Sequence, residues 1–303
     1  MAKHDIAVCL GTLPKIKNHD RKIQILNTFA QGAKKAGAKV ITTTEKIIPD
    51  AKVVVMIGWY GQKISGSHIQ FRRQLIDHQL AHGRHVMPID GSCFKWADNN
   101  DVWLRYSLDS VFWNEGNYAN QHPTKHRWRN IRQQLNIEMV PWNTAGNHIL
   151  LCLQRDNGWQ GKGFDQRQWV TSTLQQLRQY TDRPIKLRCH PGSISNYVNE
   201  FTRFPNVFVS DCLKTDIMQD LKNAHAGVFY NSSSSVACAL TGVPVFAAEQ
   251  SAVTWSIANK NLNQIENPDR PERIEWLWSV ADAHWSTDQS SNGDIYRQFA
   301  QFI

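Results

Sequence analysis

The strongest local signal for ligand binding is a run of four serines: Ser232, Ser233, Ser234 and Ser235. Tyr230 and Asn231 precede the run at the end of an apolar strand pattern, and a helix pattern follows it as far as Gly242. Hydroxyl groups at a helix start can donate hydrogen bonds to an anion that the free backbone N–H groups and the helix dipole attract. A helix cap needs only one serine, so the run favours a phosphate site over a simple cap.

A second signal follows another strand pattern, in the sequence from Lys186 to Ser193. Arg188 and His190 alternate with apolar residues there, which predicts that both side chains point to one side of the strand end. Two cationic donors at this position can neutralise a diphosphate leaving group as its charge develops. A histidine before a proline is more often structural. The prediction that His190 binds phosphate therefore depends on its occurrence together with the serine run.

A third signal is a glycine-containing loop between the first strand and the first helix of the C-terminal half. Its candidate ligand contacts are Gln154, Arg155, Gly158, Trp159 and Lys162. The loop has the position of a phosphate-binding loop but the spacing of neither a Walker motif nor a dinucleotide fingerprint. Arg155 and Lys162 either contact donor phosphate or acceptor, or belong to an ordinary strand-to-helix connection.

These residues must be positioned by alternating strands and helices. In the N-terminal half the patterns predict strands at 5–10, 39–42, 53–57 and 85–89 and helices at 21–35, 67–82 and 124–135. In the C-terminal half they predict strands at 148–153, 185–189, 207–210, 226–230 and 243–247 and helices at 165–180, 215–223 and 233–240. Such alternation is typical of an α/β fold with parallel sheets.

The pattern also suggests how the chain divides. We expect one domain over residues 1–143, a second over 144–270, and two C-terminal helices over 271–303, because regular alternation weakens from 92 to 141 and then restarts. With 303 residues, two domains are the expected number.

Composition narrows the class of protein further. The chain has 34 Lys and Arg against 26 Asp and Glu, a formal charge of +8, which favours phosphorylated or polyanionic partners. It has no apolar stretch long enough to span a membrane and no signal-peptide pattern, so we expect a cytoplasmic protein that does not bind membranes. The six cysteines form no Cys-x-x-Cys pair, so we expect neither disulfides nor zinc.

Taken together, the motifs resemble those of a known family. Arg188 to Pro191, combined with Asn231 to Ser235 and with Gly242 to Val245, resembles the His-Pro and serine motifs of GT-B glycosyltransferases of the capsule-polysaccharide and sialyl types. The chain is more closely similar to glycosyltransferases encoded in bacteriophage genomes, over residues 149–163, 181–193 and 230–246 and around His284 and Trp285.

The resemblance implies two Rossmann-like domains facing a cleft, with C-terminal helices that pack back across the domains. It also implies that His190 and residues 232–235 hold the donor phosphate, and that Asn259 or Glu266 contacts the nucleoside or the sugar. The co-substrate would be a nucleotide sugar, with UDP favoured and CMP possible, and a phage-encoded enzyme would act in the host cytoplasm.

The chain departs from the sialyl-type pattern at the catalytic base. Those enzymes carry an acidic pair before a glycine, whereas this sequence has only Ile89-Asp90-Gly91. Asp90 is the first candidate for the base, followed by Asp20 and His19. No Asp-x-Asp motif follows a strand, so we expect no obligatory metal or other cofactor.

The sequence thus predicts a glycosyltransferase, and the acceptor is the open question. The net charge, the basic and aromatic stretch Lys125 to Arg132 and the phage resemblance favour double-stranded DNA with a 5-hydroxymethyl base, which would have to be flipped out. The alternatives are a saccharide acceptor of the capsule or sialyl type and a non-catalytic protein that binds nucleotides or nucleic acid. A glycoside hydrolase ranks last because no acidic pair supports it. The sequence does not indicate an oligomeric state.

Overall fold

The computed structural model describes residues 2–14, 19–61, 66–156, 158 and 164–303. These residues form, in chain order, β1 (His4–Cys9), α1 (His19–Lys35), β2 (Val40–Thr43), β3 (Ala51–Ile57), α2 (Ser67–Ala81), β4 (His85–Asp90), β5 (Trp103–Tyr106), α3 (Lys125–Leu135), β6 (His148–Cys152), α4 (Gln166–Tyr180), β7 (Ile185–Arg188), β8 (Val207–Ser210), α5 (Ile217–Leu221), β9 (Ala224–Phe229), α6 (Ser235–Leu240), β10 (Val245–Ala247), α7 (Ile274–Asp282), β11 (His284–Ser286), α8 (Thr287–Asn292) and α9 (Asp294–Phe299). Short 3-10 turns lie between several of these elements.

The chain divides into two compact units, the first made of residues 1–128 and 278–303 and the second of residues 129–277. The sequence patterns predict a boundary at residue 143 and a separate C-terminal segment over residues 271–303. The C-terminal residues instead belong to the first unit, which is therefore discontinuous in sequence.

The first unit contains a six-stranded sheet in the order β11-β5-β4-β3-β1-β2. The strands β2, β1, β3 and β4 are parallel, as the alternation of strands and helices predicts. Of the two remaining strands, β5 pairs antiparallel with β4 and β11 pairs antiparallel with β5, and both are absent from the predicted elements. Apolar side chains of β1 and β3 pack against Phe29 and Leu26 of α1 in the core of this unit.

The C-terminal segment completes the first unit. The sequence predicts two helices there, whereas the structure has the strand β11 and the short helices α8 and α9 after α7. Trp285 of β11 and Phe299 of α9 join the same core as Phe29 of α1. The turn from α8 to α9 is made by Gly293, whose φ of 84° is left-handed and favours glycine.

The second unit contains a five-stranded, fully parallel sheet in the order β10-β9-β6-β7-β8. This is the strand order of a doubly wound nucleotide-binding fold, in which the chain runs from β6 outwards to β8 and then crosses to β9 on the other side. The direction of winding reverses between β6 and β9. In such sheets ligands bind in the crevice at the carboxyl ends of the two strands that flank this reversal.

Two further observations concern composition. The six cysteines are all buried and unpaired. Among the described residues, the helices include none that is both long enough and apolar enough to cross a bilayer.

Candidate functional site

The candidate site is the crevice at the carboxyl ends of β6, β7 and β9, which we call the donor crevice. It is formed by residues 153–156 after β6, residues 189–195 after β7 and residues 230–234 after β9. All three segments belong to the second unit. The serine run, His190 and the described part of the glycine-containing loop therefore follow adjacent strands of one sheet, as the sequence predicts.

Gln154 connects two sides of the donor crevice. With its amide oxygen turned towards β9, the buried Gln154 side chain accepts hydrogen bonds from the backbone N–H groups of Asn231 and Ser232, at 3.0 Å each. The side-chain amide of Asn231 lies 2.6 Å from that of Gln154 and 2.8 Å from the hydroxyl of Ser251. Gln154 and Asn231 therefore fix the position of the serine run.

The four serines differ in their surroundings. The hydroxyl of Ser232 accepts a hydrogen bond from the N–H of Ser234 at 3.3 Å and lies 2.6 Å from the Ser234 hydroxyl, so Ser232 caps the turn that leads into α6. Ser233 is exposed, and within the described part of the chain its backbone N–H has no hydrogen-bond partner. Ser233 is thus the member of the run most open to a ligand, and the Ser234 hydroxyl remains a donor when the Ser232 hydroxyl donates to it.

Ser235 does not share this position. Its side chain is fully buried and accepts a hydrogen bond from the hydroxyl of Thr254 at 3.0 Å. The phosphate contact expected of Ser235 from the sequence is therefore not open to it in this structure, because its hydroxyl faces the interior of the second unit.

His190 is exposed, and its neighbours define which ring nitrogen carries the proton. Its Nδ1 atom accepts a hydrogen bond from the backbone N–H of Gly192 at 2.9 Å, so a neutral ring carries its proton on Nε2. The pKa of His190 lies below its usual value because of desolvation, and further because of the positive charges of Arg155 and Arg188. At neutral pH His190 is therefore an uncharged donor through Nε2.

Arg188 contrasts with His190. Its guanidinium is buried and forms an ion pair with Asp220, and it also donates hydrogen bonds to the hydroxyl and the carbonyl of Thr215, at 3.2 and 2.8 Å. Ser210 and Lys186 also contact Asp220, at 2.6 and 3.4 Å. The phosphate contact predicted for Arg188 is therefore not open to it in this structure, because its charge is paired with Asp220 within the second unit.

The glycine-containing loop is attached to the segment after β7. The Asp156 carboxylate accepts hydrogen bonds from the Ser195 hydroxyl at 3.0 and 3.1 Å and from Nε2 of Gln166 at 3.0 Å. The N–H of Gly158 donates to the carbonyl of Arg155 at 3.0 Å, and Arg155 itself is exposed. Trp159 and Lys162 lie outside the described residues, so their expected contacts stay predictions.

An aromatic group lies beside the end of β9; its member Tyr230 is a candidate contact predicted from the sequence, whereas Phe164 and Trp169 were not found from the sequence. The ring of Tyr230 is 4.1 Å from that of Phe164 and 5.6 Å from that of Trp169, centre to centre. Its hydroxyl donates to Glu249 at 3.4 Å. The Asp165 helix cap, which accepts from the N–H of Gln168, marks the start of α4 and would have indicated that Phe164 and Trp169 lie near the strand ends.

Glu266 is not part of the donor crevice. It forms an ion pair with Arg183 at 2.9 Å and a hydrogen bond with Thr181, and both of these residues precede β7. They therefore lie at the amino ends of the strands, where an open pocket of about 490 Å³ is lined by residues 178–183 and Glu266. The ligand contact that the resemblance implies for Glu266 is on the wrong edge of the sheet.

Asn259 is similarly occupied. It is buried, its amide donates to the carbonyls of Val245 and Asp269 at 3.2 Å each, and its side-chain oxygen accepts from the N–H of Asp269 at 2.8 Å. These bonds hold the segment after β10 in place and leave no group of the Asn259 side chain for a nucleoside.

The three candidates for the base belong to the first unit. Asp90, at the end of β4, forms an ion pair with Arg105 and accepts from the N–H of Gly91 at 2.8 Å. Asp20 is exposed in the first turn of α1. His19 donates from Nδ1 to the carbonyl of Pro14 at 3.0 Å, which leaves a lone pair on Nε2 when the ring is neutral.

Residues that commonly bind metals do not cluster in the described ranges. Over those ranges, no group of three or more His, Cys, Asp and Glu side chains is arranged to hold a metal ion. Metal independence itself stays a prediction.

Two solved structures from Thermosulfurimonas dismutans are similar to this chain. One is KpsC, beta Kdo 2,7 transferase, with a TM-score of 0.51 and 10% identity over 96% of this chain and 99% of that one. The other is KpsC, beta Kdo 2,4 transferase, with a TM-score of 0.55 and 12% identity over 91% of this chain and 89% of that one. No protein-family model matches the sequence, and no curated protein matches it. At these identities the similarity establishes the α/β fold that the chain shares with these transferases.

Proposed function

We propose that the protein is a glycosyltransferase that moves a sugar from a nucleotide-sugar donor to an acceptor hydroxyl. The observation that carries the proposal is the donor crevice, where the neutral donor His190 follows β7 and the exposed Ser233 follows β9, beside the reversal point of a nucleotide-binding sheet. The fold shared with the two Kdo transferases supports a transferase over a non-catalytic binding protein.

In this proposal the donor phosphates lie against the serine run. Ser233 and Ser234 donate hydrogen bonds to phosphate oxygens, Nε2 of His190 donates to the oxygen that leaves the sugar, and Arg155 adds positive charge. Such preorganised donors stabilise charge as it develops on the leaving phosphate. The rings of Tyr230, Phe164 and Trp169 suit packing against the nucleoside.

The transfer also requires a base. The acceptor oxygen forms a bond to the anomeric carbon, the bond to the donor phosphate breaks with its electron pair on the phosphate oxygen, and the acceptor proton goes to the base. We favour His19, because the Pro14 carbonyl holds the proton on Nδ1 and leaves Nε2 as an acceptor. Asp90 ranks below it because Arg105 occupies its carboxylate.

For the acceptor we now favour a saccharide over a hydroxymethylated base in DNA. Both similar structures are named as Kdo transferases, and Kdo is a carboxylated sugar. The DNA acceptor keeps only the net charge of +8 and the basic residues of α3 in its favour.

The experiment that tests the proposal follows nucleotide release from UDP-sugars and CMP-sugars, CMP-Kdo included, with Kdo-containing saccharides or with 5-hydroxymethylated duplex DNA, in EDTA and in added Mg²⁺. Release that depends on a saccharide supports the favoured acceptor, and release that depends on DNA reverses that choice. Activity in EDTA supports metal independence. If no donor is consumed or bound under any of these conditions, the chain is not a transferase of this kind.

A further inference from the structure

The first unit has a crevice of its own at the carboxyl ends of β1 and β3. Its parallel strands run in the order β2-β1-β3-β4, so the direction of winding reverses between β1 and β3. Thr12 lies in the segment after β1, and Trp59 lies in the segment after β3. Arg72, in the second turn of α2, reaches both segments.

Arg72 is a buried cation without a counter-charge. Only 7% of the residue is exposed, and its guanidinium donates to the carbonyls of Trp59 at 2.5 Å and of Thr12 at 2.8 Å. Its Nε is buried and has no hydrogen-bond partner among the described residues. No described carboxylate forms an ion pair with Arg72, and the segments outside the described ranges contain no Asp or Glu. A buried charge without a partner is costly, so a missing anion is expected.

Two other buried arginines show how a buried positive charge is stabilised elsewhere in the chain. Arg105 and Arg273 also have side-chain nitrogens without a partner among the described residues. Arg105, however, forms an ion pair with Asp90, and Arg273 lies 3.6 Å from the centre of the Trp142 ring. Within the described part of the chain, Arg72 has neither a carboxylate nor a ring against it, which sets it apart.

The surroundings of Arg72 are also positive. α2 begins at Ser67, and the residue before it, Gly66, provides no side-chain cap; Nζ of Lys46 lies 2.6 Å from the hydroxyl of Ser67. The pKa of His68 lies below its usual value because of desolvation first and then because of the positive charges of Arg72, Lys46 and Lys22. Backbone N–H groups without a cap at the start of a helix carry partial positive charge, so they attract anions as Arg72 and Lys46 do.

We propose that this crevice is a second anion site, in which Arg72, Lys46 and the first turn of α2 bind a carboxylate or phosphate group of a small ligand. Each terminal nitrogen of the guanidinium carries a second N–H besides the one that donates to a carbonyl, and these planar donors suit the oxygens of either group. The partly exposed ring of Tyr60, which stacks on the buried Trp59 ring at 5.7 Å between centres, offers an apolar surface beside the site. If the proposed transfer reaction is correct, the ligand is an anionic acceptor saccharide; this identification rests on the proposed function, whereas the site does not.

The test measures binding by calorimetry without any nucleotide sugar, using inorganic phosphate, free Kdo and, as an uncharged control, glucose. We expect saturable binding of phosphate or Kdo and none of glucose. Arg72→Lys keeps the charge but loses the planar fork, so it should weaken binding about tenfold. Lys46→Gln, at an exposed position, should weaken binding about threefold.

Three controls locate the effect. Arg73→Lys changes the neighbouring arginine of α2, which is exposed and paired with Asp77, and should leave binding unchanged. His190→Ala should leave the binding of free Kdo unchanged, because the donor crevice is a different site, and should weaken only phosphate that binds in the donor crevice. Duplex DNA should not displace the bound ligand.

The proposal is overturned if neither phosphate nor Kdo binds saturably, or if Arg72→Lys and Lys46→Gln both bind them as the unmodified protein does. It is also overturned if His190→Ala alone abolishes binding, or if DNA competes for the bound phosphate and Kdo does not. Because no donor is present, these outcomes are independent of whether sugar transfer is observed.

Discussion

The backbones of Gly32 in α1 and Gly293 between α8 and α9 pass each other with no room for a side chain. A Cβ atom on Gly32 would lie 1.8 Å from the carbonyl oxygen of Ser290, and one on Gly293 would lie 2.4 Å from the carbonyl oxygen of Gly32. This close approach brings the C-terminal helices against α1.

We therefore expect Gly32→Ala to destabilise the protein by about 2 kcal/mol, although alanine is ordinarily the better helix former. Denaturant unfolding measures the change. Gly91→Ala is a matched control, since a Cβ atom there would meet nothing within 4 Å. An unchanged or higher midpoint for Gly32→Ala would contradict the close packing.

His284 should give the protein a pH-dependent stability. It is fully buried, accepts from the N–H of Cys93 at 2.9 Å and donates to the carbonyl of Val280 at 2.7 Å, and burial lowers its pKa to about 3. Below the unfolded pKa of about 6.5, the unfolded chain takes up a proton that the folded chain does not. The contribution of His284 is thus complete above that pH and is lost as the pH falls towards 3.

The expected slope from this one group is up to about 1.4 kcal/mol per pH unit. Comparing unfolding free energies between pH 4 and pH 7 for the unmodified protein and His284→Gln isolates it, since the variant lacks the titrating ring. His122→Gln, at an exposed position, should keep the slope of the unmodified protein. Equal slopes in all three proteins would refute the assignment.

Ser233 and Ser235 should separate binding from stability. Ser233→Ala removes an exposed hydroxyl of the donor crevice and should raise the donor KM about fivefold with little change in unfolding free energy. Ser235→Ala removes the acceptor of the Thr254 hydroxyl and should cost about 1 kcal/mol of stability. Steady-state kinetics and thermal unfolding of both variants test the pair, and a reversed pattern would exclude the proposed phosphate position.

Arg188 should behave as a structural residue. Arg188→Met leaves Asp220 buried with only Lys186 and Ser210 against it, so we expect a loss of about 3 kcal/mol in unfolding free energy. Lys214→Met, in an exposed pair with Asp211, should change it by less than about 0.5 kcal/mol. A stable Arg188→Met protein with a large loss of donor affinity would instead restore its predicted phosphate contact.

His19 should act in the chemical step. His19→Gln should lower kcat about 100-fold while the donor KM changes little, because a base serves the transition state and not donor binding. The kcat and the donor KM of Asp20→Asn and Asp90→Asn are measured in the same assay as those of His19→Gln. If Asp90→Asn alone lowers kcat, the base is Asp90 despite its pairing with Arg105.

Local patterns predicted most of the elements that the structure contains. Apolar strand runs such as β3, with five of its seven residues buried, are recognisable from their own composition. The sequence patterns did not predict β5 and β11, because these strands are only four and three residues long. They pair with each other across about 180 positions of sequence. Strands this short are defined by their partners and not by their own periodicity.

Site residues could be predicted where their position follows from the order of strands. They could not be predicted where their environment depends on residues that are distant in sequence. The serine run and His190 follow strand ends, so their convergence could be inferred from the alternation of strands and helices. The burial of Arg188 depends on Asp220, which lies 32 residues further on. Glu266 lies at the amino ends of the strands because of the path that its segment takes along the sheet. No local sequence pattern predicts that path.

The discontinuity of the first unit has a consequence for the order of events during synthesis. The second unit is one continuous segment, so all of its strands exist once residue 247 has left the ribosome. The first unit must wait for residues 284–299, because β11 is an edge strand of its sheet and Phe299 belongs to its core. Domains usually fold from the N-terminus onward as they emerge. Here the later-synthesised unit can be complete first, and a nascent chain would expose the apolar face beside β5 and α1 until its last segment arrives.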